Sequence, residues 1–245
     1  MTTGFLRAFF RLFTVQASWS YERMTGVGLG YAAEPLLEDL KSVDPPRHAE
    51  ASVRSAEYFN SHPYLAGVAL GALVRAEYDQ APPALISRLR SALTSPLGAL
   101  GDQIFWAGLV PALMGAAILG VVAGHWSSTL LTVLIGYNLV RIATGAWALR
   151  TGLTYGARVG AALGDSWLPR LVPIMGAAAG LLVGAAVPVA TRALLAPLGR
   201  PAVLLGIGTT ILALLGAWLA GPRLTAVRFG LTAIGFAALL AWGLP

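Results

Sequence analysis

An acidic side chain stands where a long apolar stretch begins in the middle of this chain. Asp102 follows Pro96, Gly98 and Gly101, and mostly apolar residues come after it. The chain has 11 acidic residues, of which nine precede residue 80 and only Asp102 and Asp165 lie later. A carboxylate beside a broken helix is a common way to build a polar site in a membrane. Asp102 is therefore the first candidate for chemistry, with capping of the following helix as the alternative.

A second polar cluster lies near the amino terminus, at 16–24. If this segment is helical, Gln16, Trp19 and Arg23 share one face. A carboxamide beside an indole suits a sugar, whose hydroxyls need hydrogen bonds and whose C–H face packs on an aromatic ring. The alternative is that Trp19 anchors the chain at a membrane interface and that Glu22 and Arg23 form a solvated pair.

A third polar cluster lies at 58–64 and contains Asn60 and His62 just before Pro63. Proline ends or delays a helix, so this segment predicts a break between two helices. Asn60 lies just before that break and is a candidate for binding a polar ligand. The alternative is structural, with Asn60 or Ser61 capping the next helix.

Composition places the chain among integral membrane proteins. Hydrophobic residues make up 56% and charged residues 11%, whereas a soluble domain carries about 25% charged residues. The net charge of +6 arises after residue 90, since residues 1–90 have nine basic and nine acidic residues. Arginines between membrane spans set topology and anchor headgroups, so this charge does not indicate nucleic acid. The absence of cysteine excludes disulfides and thiolate sites.

The first region, 1–101, predicts amphipathic and re-entrant helices. The pattern at 5–13 is that of a basic amphipathic helix lying in a membrane interface. Charged helices are predicted at 31–41 and 48–60. The apolar run at 64–74 is about eleven residues long, which is too short to cross a bilayer and predicts a re-entrant or buried helix.

The second region, 102–245, predicts about five transmembrane helices, so the fold class is an all-α integral membrane protein. Small residues at 176–184 would permit close helix packing. Asn138 and Arg141 fall inside the second span, and we expect them to face protein and pair internally, with Asp165 or a partner subunit. The five predicted spans are about 103–124, 127–149, 168–190, 202–220 and 226–244.

Motifs of the usual catalytic kinds are missing from the sequence. There is no HExxH, P-loop or GxSxG, and the histidines at 48, 62 and 125 lack metal-site spacing. A lone intramembrane carboxylate cannot act as a coupled acid and base pair. We therefore predict no catalytic residue, no metal and no cofactor.

The polar clusters, in this order, resemble the IID membrane component of the mannose/fructose/sorbose family of the bacterial sugar phosphotransferase system. The similarity extends from about residue 5 to about 190 and rests on several separate motifs. They are QASWSYERM at 16–24, YFNSHPY at 58–64, SPLGALGDQIFWAG at 95–108 and YNLVR at 137–141.

The resemblance implies a transport subunit. Together with a IIC membrane partner, it would form the translocation pathway for a hexose such as mannose, glucose, fructose or sorbose. A cytosolic IIB domain, charged by IIA, would phosphorylate the sugar during uptake. The chain itself would be no enzyme and carry no phosphorylated residue. It would be a multi-pass protein of the bacterial cytoplasmic (inner) membrane, in a trimer of IIC–IID pairs.

The resemblance also implies roles for individual residues. Asp102 would accept hydrogen bonds from sugar hydroxyls or hold a hairpin tip, and Trp106 would stack on the sugar. The residues implied to face sugar are Gln16, Trp19, Asn60, His62, Asp102, Phe105 and Trp106. Those implied to shape a hairpin or the spans are Pro96, Gly98, Gly101, Asn138 and Arg141.

Three departures from the family pattern leave a rival function open. His62 stands where a neutral glutamine is often found, Gln103 stands where proline is common, and the region between about 190 and 205 is shortened. The rival is a non-transporting regulatory or scaffolding subunit that recruits phosphotransferase proteins to the membrane.

Overall fold

The computed structural model describes residues 4–195, 197 and 199–220, and this part of the chain is helical apart from turns and two isolated β-bridges. It divides into two compact units, 1–183 and 184–245, and the first holds every candidate residue. The elements are α1 (Phe5–Leu12), α2 (Gly26–Val43), α3 (Pro45–Ser55), α4 (Ala66–Tyr78), α5 (Pro83–Gly101), a π-helix (Asp102–Leu109), α6 (Val110–Val122), α7 (Trp126–Tyr155), a short 3₁₀ turn (Gly156–Arg158), α8 (Val159–Gly164), α9 (Leu168–Leu195) and α10 (Arg200–Ala220).

Three helical segments of the described chain are long and apolar enough to cross a membrane: Pro83–Val122, Trp126–Gly164 and Leu168–Leu195. They cover the first three predicted spans apart from residues 123 and 124, which confirms an all-helical membrane protein. Helix α10 covers the fourth predicted span, and the fifth, at 226–244, lies outside the described residues. The number five therefore stays a prediction.

Helix α4 is the short apolar helix that the sequence predicted, and it is buried. Every residue from 66 to 74 is buried. It packs against α7 so closely that backbones touch: a Cβ atom on Gly152 would lie 2.2 Å from the Val68 carbonyl oxygen. A Cβ atom on Gly71 would lie 2.5 Å from the Leu153 nitrogen. Glycines thus allow this contact, as small residues do between membrane helices.

The glycines at 176 and 180 do not make the close contact that their spacing suggested. A Cβ atom on either would meet nothing within 4 Å. The first part of α9 instead packs on glycines of the first span, Pro83–Val122. A Cβ atom on Gly108 would lie 2.6 Å from the Met175 Cβ atom, and one on Gly115 would lie 2.7 Å from the Leu182 carbonyl carbon. Spacing alone could not tell which glycines face a neighbour.

Helix α1 follows α7 rather than lying across it. Phe5 lies under the Arg150 guanidinium, with 5.5 Å from the Cζ atom to the ring centroid. Phe9 approaches Gly145, and the Arg141 guanidinium lies over Phe13. These contacts run in opposite directions along the two helices, so α1 is antiparallel to the second half of α7. The prediction of a basic amphipathic helix at 5–13 gave no sign of this packing, because amphipathic sequence does not specify what covers the apolar face.

The expected helix break before Asp102 is absent. Helix α5 contains Pro96 and Gly98 and continues through the π-helix into α6. Pro111 follows the π-helix; it lacks an N–H group, and its ring crowds the carbonyl group four residues earlier. A wider helical turn relieves that crowding. Pro96, Gly98 and Gly101 therefore do not form the tip of a hairpin.

The helices α3 and α4 are joined by a buried carboxylate. Glu77 is only 3% exposed, and Arg54 donates two hydrogen bonds to it, from Nε at 2.9 Å and from Nη2 at 3.0 Å. These bonds raise the pKa of the Arg54 guanidinium. Arg47 Nη2 lies 3.1 Å from Glu77 Oε2. Arg90 of α5 donates from Nη2 to the Arg54 carbonyl oxygen at 2.5 Å, which adds a third helix.

The close contact of α4 and α7 predicts that Gly152→Ala destabilises the protein. The added methyl group would collide with the Val68 carbonyl group, and such overpacking costs roughly 1–3 kcal/mol. Thermal unfolding in detergent measures the loss. Gly136→Ala on the same helix is the matched control, since its Cβ atom would meet nothing within 4 Å. Equal unfolding temperatures for the two variants would contradict the proposed packing.

The buried cluster predicts that Glu77→Gln destabilises the protein far more than Asp79→Asn. Glu77 balances Arg54 and Arg47 in the interior, and breaking a buried ion pair costs roughly 3–5 kcal/mol. Asp79 pairs with Arg75 on the surface at 2.9 Å, where such a pair contributes about 0–1 kcal/mol. Thermal unfolding of both variants in one detergent compares the two. A similar small loss for both would show that Glu77 is not a structural carboxylate.

Candidate functional site

The polar clusters at 16–24 and 58–64 lie side by side in the structure. Thr25 donates to the Phe59 carbonyl oxygen from its nitrogen at 2.9 Å and from its hydroxyl at 2.8 Å. Phe59 in turn donates from its nitrogen to the Arg23 carbonyl oxygen at 3.3 Å. Because Phe59 is fully buried, these bonds hold the two segments together, and we call them the backbone joint. The segments 16–24 and 58–64 therefore belong to one structural unit.

The segment 16–24 is a series of turns and not the helix that the sequence suggested. Ser20 and Met24 pair through their backbones, and Met24 takes a positive φ of 51°. Gln16 and Trp19 consequently do not share a helical face. Trp19 is 47% exposed and contacts the ring of Tyr21 edge-on, with centroids 4.9 Å apart. The backbone pairing of Ser20 with Met24 therefore replaces the helix that the sequence pattern suggested.

His62 joins the segment 58–64 to the segment 95–108 through aromatic contacts. Its ring stacks on Phe105 with centroids 4.9 Å apart and planes 19° apart. The rings of Tyr64 and Trp106 lie 4.8 Å and 5.1 Å from it. Three residues from the sugar-facing prediction, His62, Phe105 and Trp106, thus form one cluster. Tyr64 was in a predicted motif but was not among the predicted site residues.

The imidazole of His62 is buried, and its hydrogen bonding is incomplete. Its Nδ1 atom accepts a hydrogen bond from the Tyr64 nitrogen at 3.3 Å, while Nε2 is buried without a partner among the described residues. Burial lowers the pKa of His62 to about 4, so the ring is neutral at neutral pH. A neutral His62 therefore resembles glutamine, because both are uncharged side chains that form hydrogen bonds.

Gly101 has a clear role in this site. A Cβ atom there would lie 2.1 Å from the His62 Cβ atom, so only glycine lets His62 pack against α5. At Gly98 a Cβ atom would lie 3.9 Å from the Ser61 Cα atom. These contacts hold the segment around Asn60 against the end of α5. The two glycines provide close packing between the motifs and do not bend the helix.

The polar side chains next to these contacts are exposed. Asn60 and Asp102 are both exposed, and Trp106 is 46% exposed while Phe105 is buried. A carboxylate accepts hydroxyl protons, a carboxamide donates and accepts, and an indole face covers C–H groups. This surface has no nucleophile paired with a base, and the described residues contain no group of three potential metal ligands. The groups it does carry are ones that bind a polar ligand.

Asn138 and Arg141 do not pair with Asp165 in the described chain, and their pairing with a partner subunit stays a prediction. Asn138 donates from Nδ2 to the Leu134 carbonyl oxygen of its own helix at 2.8 Å. The Arg141 Cζ atom lies 4.9 Å from the Phe13 ring centroid and 5.3 Å from that of Tyr64. No acidic side chain of the described chain pairs with Arg141. Its neighbours are aromatic faces because α1 lies alongside α7.

Tyr64 connects the aromatic cluster with a neighbouring pocket. Its hydroxyl group is hydrogen bonded to that of Tyr137 on α7. On its other side, Tyr64 lines a pocket together with Gln16 and Arg141. Gln16 therefore lies at this pocket. Sequence gave no signal for this arrangement, because the residues are 48 or more positions apart.

Comparison with known proteins identifies the family. Residues 2–199 match the family described as PTS system mannose/fructose/sorbose family IID component. The chain belongs to this family of IID components. The resemblance found in the motifs is thereby confirmed over most of the chain.

Curated relatives of this IID chain come from several bacteria. It is 30% identical over 170 residues to the mannose-specific EIID component of Escherichia coli strain K12, covering 66% of this chain and 59% of the relative. It is 28% identical over 160 residues to the fructose permease IID component of Bacillus subtilis strain 168, covering 63% and 56%. The sorbose-specific EIID component of Klebsiella pneumoniae is 28% identical over 163 residues, covering 64% and 58%. The matched part thus spans less than two thirds of each relative.

Two solved structures share the fold of this IID chain. A structure described only as a membrane protein superposes with a TM-score of 0.72 and 22% identity, covering 98% of this chain and 97% of that one. The cryo-EM structure of the mannose transporter ManYZ with microcin E492 gives a TM-score of 0.57 and 24% identity, with 100% and 97% coverage. At these identities the likeness establishes the fold.

The buried, neutral His62 predicts an acid-sensitive fold. In the unfolded chain the imidazole pKa is about 6.5, so the unfolded chain binds a proton first as pH falls. Stability from this group is complete above pH ~6.5 and declines as pH falls towards ~4, by up to about 3 kcal/mol. Thermal unfolding in detergent at neutral and acidic pH measures this.

The control for the pH experiment is His62→Gln, which keeps a polar side chain but does not titrate. Its absolute stability will change because the ring contacts are lost, so the comparison is the difference between the two pH values. We expect that difference to be smaller in the variant. An identical pH dependence in both proteins would show that His62 is not the group responsible.

Proposed function

We propose that this chain is the IID membrane subunit of a mannose-family sugar phosphotransferase transporter. With a IIC subunit it forms the translocation pathway for a hexose, which IIB phosphorylates during uptake. Family membership supports this proposal. The observation that carries it is that three motifs, far apart in the sequence, meet around His62. The ring of His62 contacts Phe105 and Trp106. The segment that contains His62 also pairs through its backbone with the segment 16–24.

The proposed membrane arrangement has five spans. Residues 1–101 form the region of short and buried helices, and residues 102–245 form the transmembrane region. The protein would be a multi-pass component of the bacterial cytoplasmic membrane. The proposed assembly is a trimer of IIC–IID pairs. Apolar side chains that are exposed along α7, such as Leu131 and Leu139, suit contact with lipid or with a partner helix.

Asp102 is proposed to accept hydrogen bonds from sugar hydroxyl groups, with Trp106 packing on the sugar. Asn60, held close by the contacts at Gly98 and Gly101, would bind further hydroxyl groups. The buried residues His62 and Phe105 would fix the position of the Trp106 ring. The exposure of Asp102, Asn60 and Trp106 supports this proposal. In it the exposed residues contact the sugar, and the buried residues hold them in position.

Gln16 and Trp19 are proposed to approach the sugar from the segment beside this surface. The backbone joint between Thr25 and Phe59 supports their proximity to the 58–64 segment. We propose no phosphorylated residue on this chain, because phosphate transfer belongs to IIA and IIB. The sugar class is a neutral hexose such as mannose, glucose, fructose or sorbose.

Sugar binding by the chain together with its IIC partner in liposomes tests the proposal. Asp102→Asn removes a charged hydrogen-bond acceptor and should weaken mannose-type sugar binding by about tenfold or more. Asn60→Ala should weaken it by a smaller factor. Asp165→Asn is the matched control, since Asp165 is the other acidic residue after residue 80 and is also exposed.

The outcomes separate transport from the rival function. Weaker binding by Asp102→Asn, with normal binding by Asp165→Asn, supports sugar translocation. Unchanged affinity in both, or no sugar binding by the wild-type pair, would favour a regulatory or scaffolding subunit. In that case binding of IIB to membranes carrying the chain, without sugar uptake, is the expected result.

A further inference from the structure

An arginine without a counter-charge lines a pocket beside the proposed sugar-facing surface. The pocket lies where α1, the start of α4 and α7 meet, and it measures about 370 Å³ including space open to solvent. Its main lining side chains are Phe9, Leu12, Phe13, Gln16, Tyr64 and Arg141. Two of these, Gln16 and Arg141, can donate hydrogen bonds into it.

Arg141 is held in place by stacking and not by an ion pair. Its guanidinium lies against the rings of Phe13 and Tyr64. Its Nε atom is buried and has no hydrogen-bond partner in the described part of the chain. Rings that cover the guanidinium face leave its N–H edge as the polar part. A fixed orientation of that edge favours recognition of a ligand.

The charge of Arg141 requires an explanation, because it lies within the span Trp126–Gly164. An unpaired charge in a low-dielectric surrounding is costly, and membrane proteins pair such groups or use them for binding. Arg54 shows the contrast, because it shares the carboxylate of Glu77 at 2.9 Å. For Arg141 no described carboxylate plays that part, so an external anion is the missing partner.

We propose that this pocket binds a phosphate group, with Arg141 as the main ligand and Gln16 as a second donor. A phosphate ester presents several terminal oxygens, which suit the forked N–H edge of a guanidinium together with a carboxamide N–H. The aromatic and aliphatic walls accept the apolar or sugar part of the ester. Two sources have this chemistry: the headgroup of an anionic phospholipid and a soluble phosphate ester. The proposal does not depend on the transport function.

Binding assays on the purified full-length chain distinguish the two sources. In one arm, native mass spectrometry compares retention of phosphatidylglycerol with retention of phosphatidylcholine. In the other arm, inorganic phosphate and a hexose 6-phosphate are tested for raising the unfolding temperature in neutral detergent. Arg141→Gln should lower the affinity of the phosphate ligand by about tenfold or more.

The matched control is Arg150→Gln on the same helix. Arg150 is exposed and lies over Phe5, away from the lining of the pocket. Loss of phosphatidylglycerol in Arg141→Gln alone supports a lipid headgroup. Loss of stabilisation by the soluble phosphates in Arg141→Gln alone supports a soluble ester. Equal losses in both variants, or no phosphate binding by the wild type, would overturn the proposal.

A second variant keeps the test decisive if Arg141→Gln does not fold. Gly145→Leu retains the arginine and fills the pocket, since Gly145 lines it and its Cβ atom would lie 3.4 Å from Phe9 Cε2. We expect this variant to lose phosphate binding about as fully as Arg141→Gln. Wild-type binding by Gly145→Leu would show that the pocket is not the site.

Discussion

The close contact between α4 and α7 is the constraint on which the rest of this structure depends. Glycines at 71 and 152 let the two backbones touch, and a side chain at either position would collide with the opposite helix. This contact keeps a helix of 13 residues, too short to cross a bilayer, fixed against a helix of 30 residues. Helix α1 follows the same long helix, and the segment 58–64 leads directly into α4. The position of the candidate site therefore depends on the packing of this one helix pair.

His62 and Gly101 form the second constraint, because they join distant motifs. A glycine at 101 leaves space for the imidazole, and the imidazole in turn supports Phe105 and Trp106. Burial keeps the ring neutral, so the centre of the cluster carries no charge at neutral pH. The exposed groups, Asp102 and Asn60, lie at its margin. This separation of a rigid neutral centre from a polar margin suits a site that binds a neutral polyhydroxyl ligand and releases it again.

Arginines occur in two different environments in this chain. Arg54 and Arg47 share the buried carboxylate of Glu77, which connects α3 to α4. Arg141 has aromatic rings as neighbours and no described acidic partner. The first arrangement satisfies its charges internally and stabilises the fold. The second places an arginine without a described counter-charge in the lining of a pocket, which is the position expected of a binding residue.

The sequence by itself determined the class of the protein and its family, and it singled out the segments that meet at the candidate site. Apolar composition and span lengths gave an all-helical membrane protein, because hydrophobic thickness fixes how many residues must be apolar. The family followed from motifs that are short and local, since each can be read without knowing its neighbours. The sequence also showed that α4 is too short to cross a bilayer, which predicted a buried or re-entrant position.

Only the tertiary structure decided which of these segments touch. The helix continues through Asp102 as a π-helix, although glycine and proline there predicted a break, because packing and Pro111 outweigh local propensity. Gly71 and Gly152 make the close contact while Gly176 and Gly180 do not, and identical residue types give no sign of that difference. Arg141 meets Tyr64 across 77 positions of sequence. Contacts between distant segments depend on how whole helices pack, and no local pattern encodes that.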